Sequence, residues 1–170
     1  MYFKPQFMSL LRPHPLWTTS KGNSFETNKS IVVARLLSGR YRSDWHSRHW
    51  NLSNKNGFCL LCPGKNIPGT IEHLLVSCVS LQHKRLDLFN FWDQRTVENP
   101  HLRDLMFSIR SSSITNFVQF VLDPSVVSSV ISGCQDKLFK LEDIFHLTRT
   151  FCYALHRLRL QLLGRFNFAD

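Results

Sequence analysis

Four residues constrain this chain more than any others: Cys59, Cys62, His73 and Cys78, spaced Cys-x2-Cys-x10-His-x4-Cys. Zinc takes four soft or borderline ligands in a tetrahedron, closed to solvent when the site is structural. Two cysteines separated by two residues can curl onto one ion through a tight turn. The turn material is present in Gly57 and in Pro63-Gly64. The second ligand pair reads as helical. Thr70 suits an N-cap and Glu72 the first turn, which sets His73 one turn into a helix running through Leu74, Leu75 and Val76. Residues five apart do not share an α-helical face, so the helix should end or loosen near Cys78. His83 competes as a ligand, because Cys78-x4-His83 repeats the spacing. His73 ranks above it, since the loop and cap place it near the Cys-x2-Cys turn. The alternative is a chance grouping of buried thiols. A lone Cys-x2-Cys would be a weak signal, whereas the same pair followed by His and Cys after a capped helix start is a strong one. One structural zinc ion is the expected cofactor, ordering a segment at 57–80 too short to build a core alone.

The next constraint is charge. The 170 residues carry 21 Lys+Arg against 12 Asp+Glu, a formal net charge of +9. Residues 1–70 hold ten basic side chains against two acids (Glu26 and Asp44), so almost all the surplus sits there. A one-sided positive field concentrates a polyanion near that face, and nucleic acid is the commonest such partner. Arg35, Arg40, Arg42, Arg48, Lys55 and Lys65 are candidates for phosphate contact, since Arg forks match phosphate geometry. Tyr41, Trp45 and Trp50 interleave with them and are candidates for base stacking, with Trp45 and Trp50 read alternatively as anchors to the core. A solvated basic surface is the competing reading.

Hydrophobic residues make up 43% and charged residues 19%, enough for a core and too apolar for a disordered tail. There is no apolar run of membrane-spanning length, and Met1 to Pro5 shows no secretory signal. With five cysteines, an odd number, the expectation is an intracellular chain, nuclear or cytoplasmic, with reduced thiols. Cys134 and Cys152 stand apart and read as core thiols.

The fold class reads as mainly α, a helical domain with an inserted small zinc-binding motif. Residues 1–56 form a basic arm and helix, 57–80 the metal motif and 81–170 a helical region. Pro5, Pro13 and Pro15 predict an extended arm over 1–22. Ser24 is a plausible N-cap for a helix from Phe25 to Leu37, stopped at Ser38-Gly39. A helix over Leu81 to Phe91 is broken by Pro100. Short helices follow around Leu102 to Ile109 and Ile114 to Leu122, with a third opening at Ser125. A long amphipathic helix runs from Leu138 to Leu163, ended by Gly164.

Gly57-Phe58-Cys59-Leu60-Leu61-Cys62, with Gly69-Thr70-Ile71-Glu72-His73-Leu74-Leu75-Val76-Ser77-Cys78, resembles the zinc-binding segment that follows the polymerase domain in non-LTR (LINE-type) retrotransposon reverse transcriptases. The likeness extends upstream to Ala34 through Arg42. Downstream it takes in Phe120 to Pro124, His146 to Thr150 and Leu163 to Phe168. It implies zinc on Cys59, Cys62, His73 and Cys78. It also implies a basic flank engaging RNA or DNA in target-primed reverse transcription, with polymerase and endonuclease domains outside these residues.

No catalytic set stands out. A four-ligand site leaves no open position for a catalytic metal, and GxSxG, P-loop and GxGxxG patterns are missing. The expected function is that of a zinc-stabilised nucleic-acid-binding module, not an enzyme. The alternative is a helical protein-interaction module that docks on a separate polymerase domain, with Phe117, Phe120, Phe139 and Phe151 exposed as its interface.

Overall fold

Helix α1 (Ser24–Leu37) starts one residue earlier than its pattern predicts, because Asn23 rather than Ser24 caps it. The Asn23 side-chain oxygen accepts from the Phe25 N–H at 2.9 Å, supplying a partner for one of the donors that a helix start leaves unpaired. The computed structural model describes residues 23–41, 43, 56–97, 100–127 and 141–164. The predicted arm at 1–22, together with Arg42, Trp45, Arg48, Trp50, Lys55, Cys134 and Phe139, lies outside the described residues.

The chain is mainly helical. After α1 come a wide helical turn (His73–Ser77) and a 3-10 turn (Val79–Leu81), then α2 (Gln82–Thr96), α3 (Pro100–Arg110) and α4 (Ile114–Leu122). A 3-10 turn (Pro124–Val127) and the long α5 (Leu141–Leu162) follow. Pro100 opens α3 instead of breaking α2. At the first helical position the missing N–H costs nothing, and the ring pre-sets the backbone. Of the helix predicted from Ser125 through Ile131, the part up to Val127 is a 3-10 turn, and Val130 and Ile131 lie outside the described residues. Asp123 Oδ1 draws in both the N–H and the hydroxyl of Ser125 there, at 3.2 and 2.6 Å. Gly164, at φ 63°, ends α5 as expected, with its N–H on the Gln161 carbonyl.

Helix α5 is the spine, packing on α1, α2 and α4. Its buried stripe of Ile144, Phe145, Phe151, Cys152 and Leu155 meets an aromatic cluster from α2 and α4. The Phe151 ring lies 5.1 Å from Trp92, 5.7 Å from Phe89 and 6.1 Å from Phe117, and Trp92 meets Phe120 edge-on. Phe117, Phe120 and Phe151 are therefore core, not the exposed interface that the protein-interaction alternative assigned them. Cys152 is the core thiol expected of it, its pKa pushed up by burial. The same continuous core takes in Val33 and Leu36 of α1 and reaches Cys59, Cys62 and Cys78.

An ionic clamp joins α1 to α5. Glu26 accepts from Lys29 at 2.7 Å, and its other oxygen lies 3.4 Å from Arg149. Lys29 also donates to Thr150 and Arg149 to Ser30, so these two buried cations are tied across the helix pair. Burial works against ionising Glu26. The Lys29 hydrogen bond and the charges of Lys29, His146 and Arg149 outweigh it and hold the carboxyl below its usual range.

Candidate metal centre

The loop from Gly57 to Thr70 is a small knuckle. Its ends pair through an isolated antiparallel bridge between Phe58 and Pro68. The Cys59 N–H donates to the Ile67 carbonyl at 2.8 Å, and Gly69 donates to Gly57 at 2.9 Å. Inside it the chain turns back on itself, the Cys62 N–H reaching the Cys59 carbonyl. Gly57 (φ 69°) and Gly64 (φ 78°) take up the left-handed conformations that the reversal needs, where a Cβ would be strained. Both thiols thus project to one side of the turn.

Thr70 caps the helical segment as predicted: its hydroxyl accepts from the His73 N–H at 3.1 Å. From His73 the helix widens. The Cys78 N–H bonds not to the fourth carbonyl back but to the fifth, that of His73, at 2.7 Å. This wide turn is the loosening that the five-residue spacing required, and such turns recur at functional sites.

The result is a buried quartet. One ligand atom from each of Cys59, Cys62, His73 and Cys78 lies within 4.8 Å of every other. The Sγ atoms of Cys62 and Cys78 are 3.7 Å apart and those of Cys59 and Cys78 4.0 Å apart. Cys62 Sγ is 3.6 Å from His73 Nε2. A tetrahedron with zinc–sulfur bonds of about 2.3 Å has edges of roughly 3.8 Å between sulfurs, and roughly 3.6 Å from sulfur to nitrogen. The separations are thus those of ligands around one ion and far longer than a disulfide bond. The cluster can hold one metal ion.

The imidazole is set for ligation. His73 Nδ1 lies 3.1 Å from Ser77 Oγ. In the tautomer that leaves the Nε2 lone pair free toward the sulfurs, Nδ1–H donates to that hydroxyl, the support that metal-bound histidines ordinarily have. His83 is exposed on α2 and outside the quartet, which decides between the two histidines.

The sulfurs compete for protons. The Cys78 hydrogen bond holds Cys59 down to about 5 against the opposing effect of burial, with the Leu61 backbone and His73 assisting. Cys78 is pushed up in turn, first by its bond to Cys59, then by burial and by the charges of Cys59 and Cys62. Cys59 is thus the sulfur that ionises first, at the expense of Cys78.

Two supporting residues escape a reading of the sequence. Ser77 has a visible signal, sitting four residues after His73 on a helix. Arg85 has none. It is buried on α2, and its guanidinium donates to the carbonyls of Leu74 and Cys78. Burial draws its pKa down, opposed by the charges of Cys78 and Cys62.

The basic candidates divide. Arg35, Arg40 and Lys65 are exposed, and none makes an ion pair among the described residues. Tyr41 is not a free stacking platform. Its ring is buried at 4% exposure, its hydroxyl is 3.0 Å from His156 Nδ1 and the Arg159 guanidinium lies over its face. Among the described residues no helix is long and apolar enough to cross a membrane. The chain matches no family model, no curated protein and no solved structure.

Proposed function

We propose that this chain is a zinc-stabilised helical module that binds nucleic acid. The observation that carries the reading is the buried quartet of Cys59, Cys62, His73 and Cys78 at tetrahedral separations. Three thiolates and an imidazole favour zinc over the hard cations, which take oxygen ligands. Protein ligands would fill all four positions of the tetrahedron, which suits a structural ion and leaves no open position for catalysis at the metal.

The nucleic-acid half of the proposal rests on the charge surplus of residues 1–70 and on the exposed Arg35, Arg40 and Lys65. The resemblance to the zinc-binding segment of LINE-type reverse transcriptases supports the same reading, and under it the module assists RNA or DNA engagement in target-primed reverse transcription. The test is fluorescence anisotropy of labelled RNA and DNA oligonucleotides titrated with the chain across a range of salt. Binding should weaken steeply with salt. A variant combining R35A, R40A and K65A should lower the log–log salt slope by about one for each phosphate it no longer neutralises. Affinity indifferent to salt and to these substitutions would sink the nucleic-acid reading.

A further inference from the structure

Arg85 is a buried cation, 6% exposed, and among the described residues no carboxylate pairs with it. A charge held out of water needs an opposite charge or a full set of hydrogen bonds. Its guanidinium donates to two carbonyls only among the described residues, those of Leu74 and Cys78. Both belong to the wide turn that carries His73 and Cys78. The fold has therefore buried an arginine against the metal-ligand turn without providing a carboxylate for it among the described residues.

The charge of the centre explains this placement. A divalent ion on three thiolates and a neutral imidazole carries one net negative charge, and that charge is buried. Left alone it would cost free energy of the kind that a single buried ion always costs. One guanidinium cancels it.

We propose that Arg85 is the built-in counter-cation of the metal centre, neutralising the loaded tris-thiolate site while its hydrogen bonds hold the wide turn that aligns Cys78 with His73. The proposal rests on the metal reading of the quartet. Arg85 is a positioning residue, since it touches the main chain of Leu74 and Cys78 and not the ion. Its charge also makes the bound sulfurs poorer nucleophiles, so the loaded centre should resist electrophiles.

The test uses the full chain as wild type, R85K, R85Q and R85M, each loaded with zinc and separately with cobalt. Transfer of zinc to excess chelator, alkylation of the loaded sulfurs by iodoacetamide and the sulfur-to-cobalt charge-transfer band are measured, with far-ultraviolet circular dichroism at saturating zinc as the folding control. R85Q and R85M should lose zinc about ten- to a hundredfold faster and alkylate faster, with a shifted cobalt band. R85K, which keeps the charge, should stay near wild type in all three. If R85M fails to fold, R85Q against R85K still separates charge from shape. Zinc held equally by wild type, R85Q and R85M overturns the proposal, as does an R85K that fails as badly as R85Q. A wild-type chain that takes up no zinc sinks the metal reading itself and this one with it.

Discussion

Cys78 donates its main-chain N–H to the carbonyl of His73, five residues back rather than four, at 2.7 Å. An ordinary α-turn would rotate the two side chains about 140° apart around the helix axis, at about 100° per residue. The widened turn brings them onto one side, where Cys59 and Cys62 meet them from the knuckle. One hydrogen bond shifted by one residue thus completes a four-ligand cage from two separate segments.

Purified protein should carry one equivalent of zinc by elemental analysis. C59S and C78S should each lose it, while H83A, altered at an exposed position outside the cage, should keep it. S77A removes the hydroxyl facing His73 Nδ1 and should weaken zinc binding about tenfold with the helical content unchanged. Full retention of zinc by C78S would show that the ion is held elsewhere.

Chelation should melt the chain locally before it melts globally. The knuckle leaves Phe58 and Leu60 exposed and buries little apolar surface of its own, whereas α5 is packed on three helices. Hydrogen exchange after EDTA treatment should accelerate at the amides of Cys59, Gly69 and Cys78, while those near Phe151 stay protected. Equal loss of protection at both places would contradict this order.

The α1–α5 clamp makes stability depend on acid. Glu26 has a folded pKa below its unfolded value, so its contribution is complete above the unfolded value of about 4.3 and is lost as pH falls toward the folded one. E26Q leaves Lys29 and Arg149 without their carboxylate and should cost about 3 kcal/mol near pH 7. Urea melts of both proteins should show that gap narrowing below about pH 4. A gap independent of pH would mean that Glu26 acts through packing alone.

Trp92 separates volume from polarity. Its side chain is fully buried, and its indole N–H has no hydrogen-bond partner among the described residues. W92A should cost about 3–5 kcal/mol by emptying the centre of the aromatic cluster. W92F keeps a ring and discards an unpaired donor, so thermal and urea melts should place it within about 1.5 kcal/mol of wild type. A W92F loss as large as that of W92A would point to an indole interaction that matters.

The Cys-x2-Cys turn, the Thr70 cap, the loosening at Cys78 and the glycine at the end of α5 are all legible in the residues themselves. Metal-ligand spacing, caps and chain reversals are local, and each depends on a handful of neighbouring φ/ψ angles and side chains. Which helix Pro100 serves is not legible, because a proline that ends one helix and one that begins the next look alike until the neighbouring turn is known. Tertiary structure alone decided what lies inside. It buried Tyr41 against His156 and Arg159, placed Phe117, Phe120 and Phe151 in the core instead of on the surface that the interaction alternative required, and turned His83 to solvent while His73 joined the cage. Burial is set by elements far apart in sequence, and α5 covers residues more than a hundred positions before it. An apolar or aromatic side chain reads the same on either face until that partner is in place.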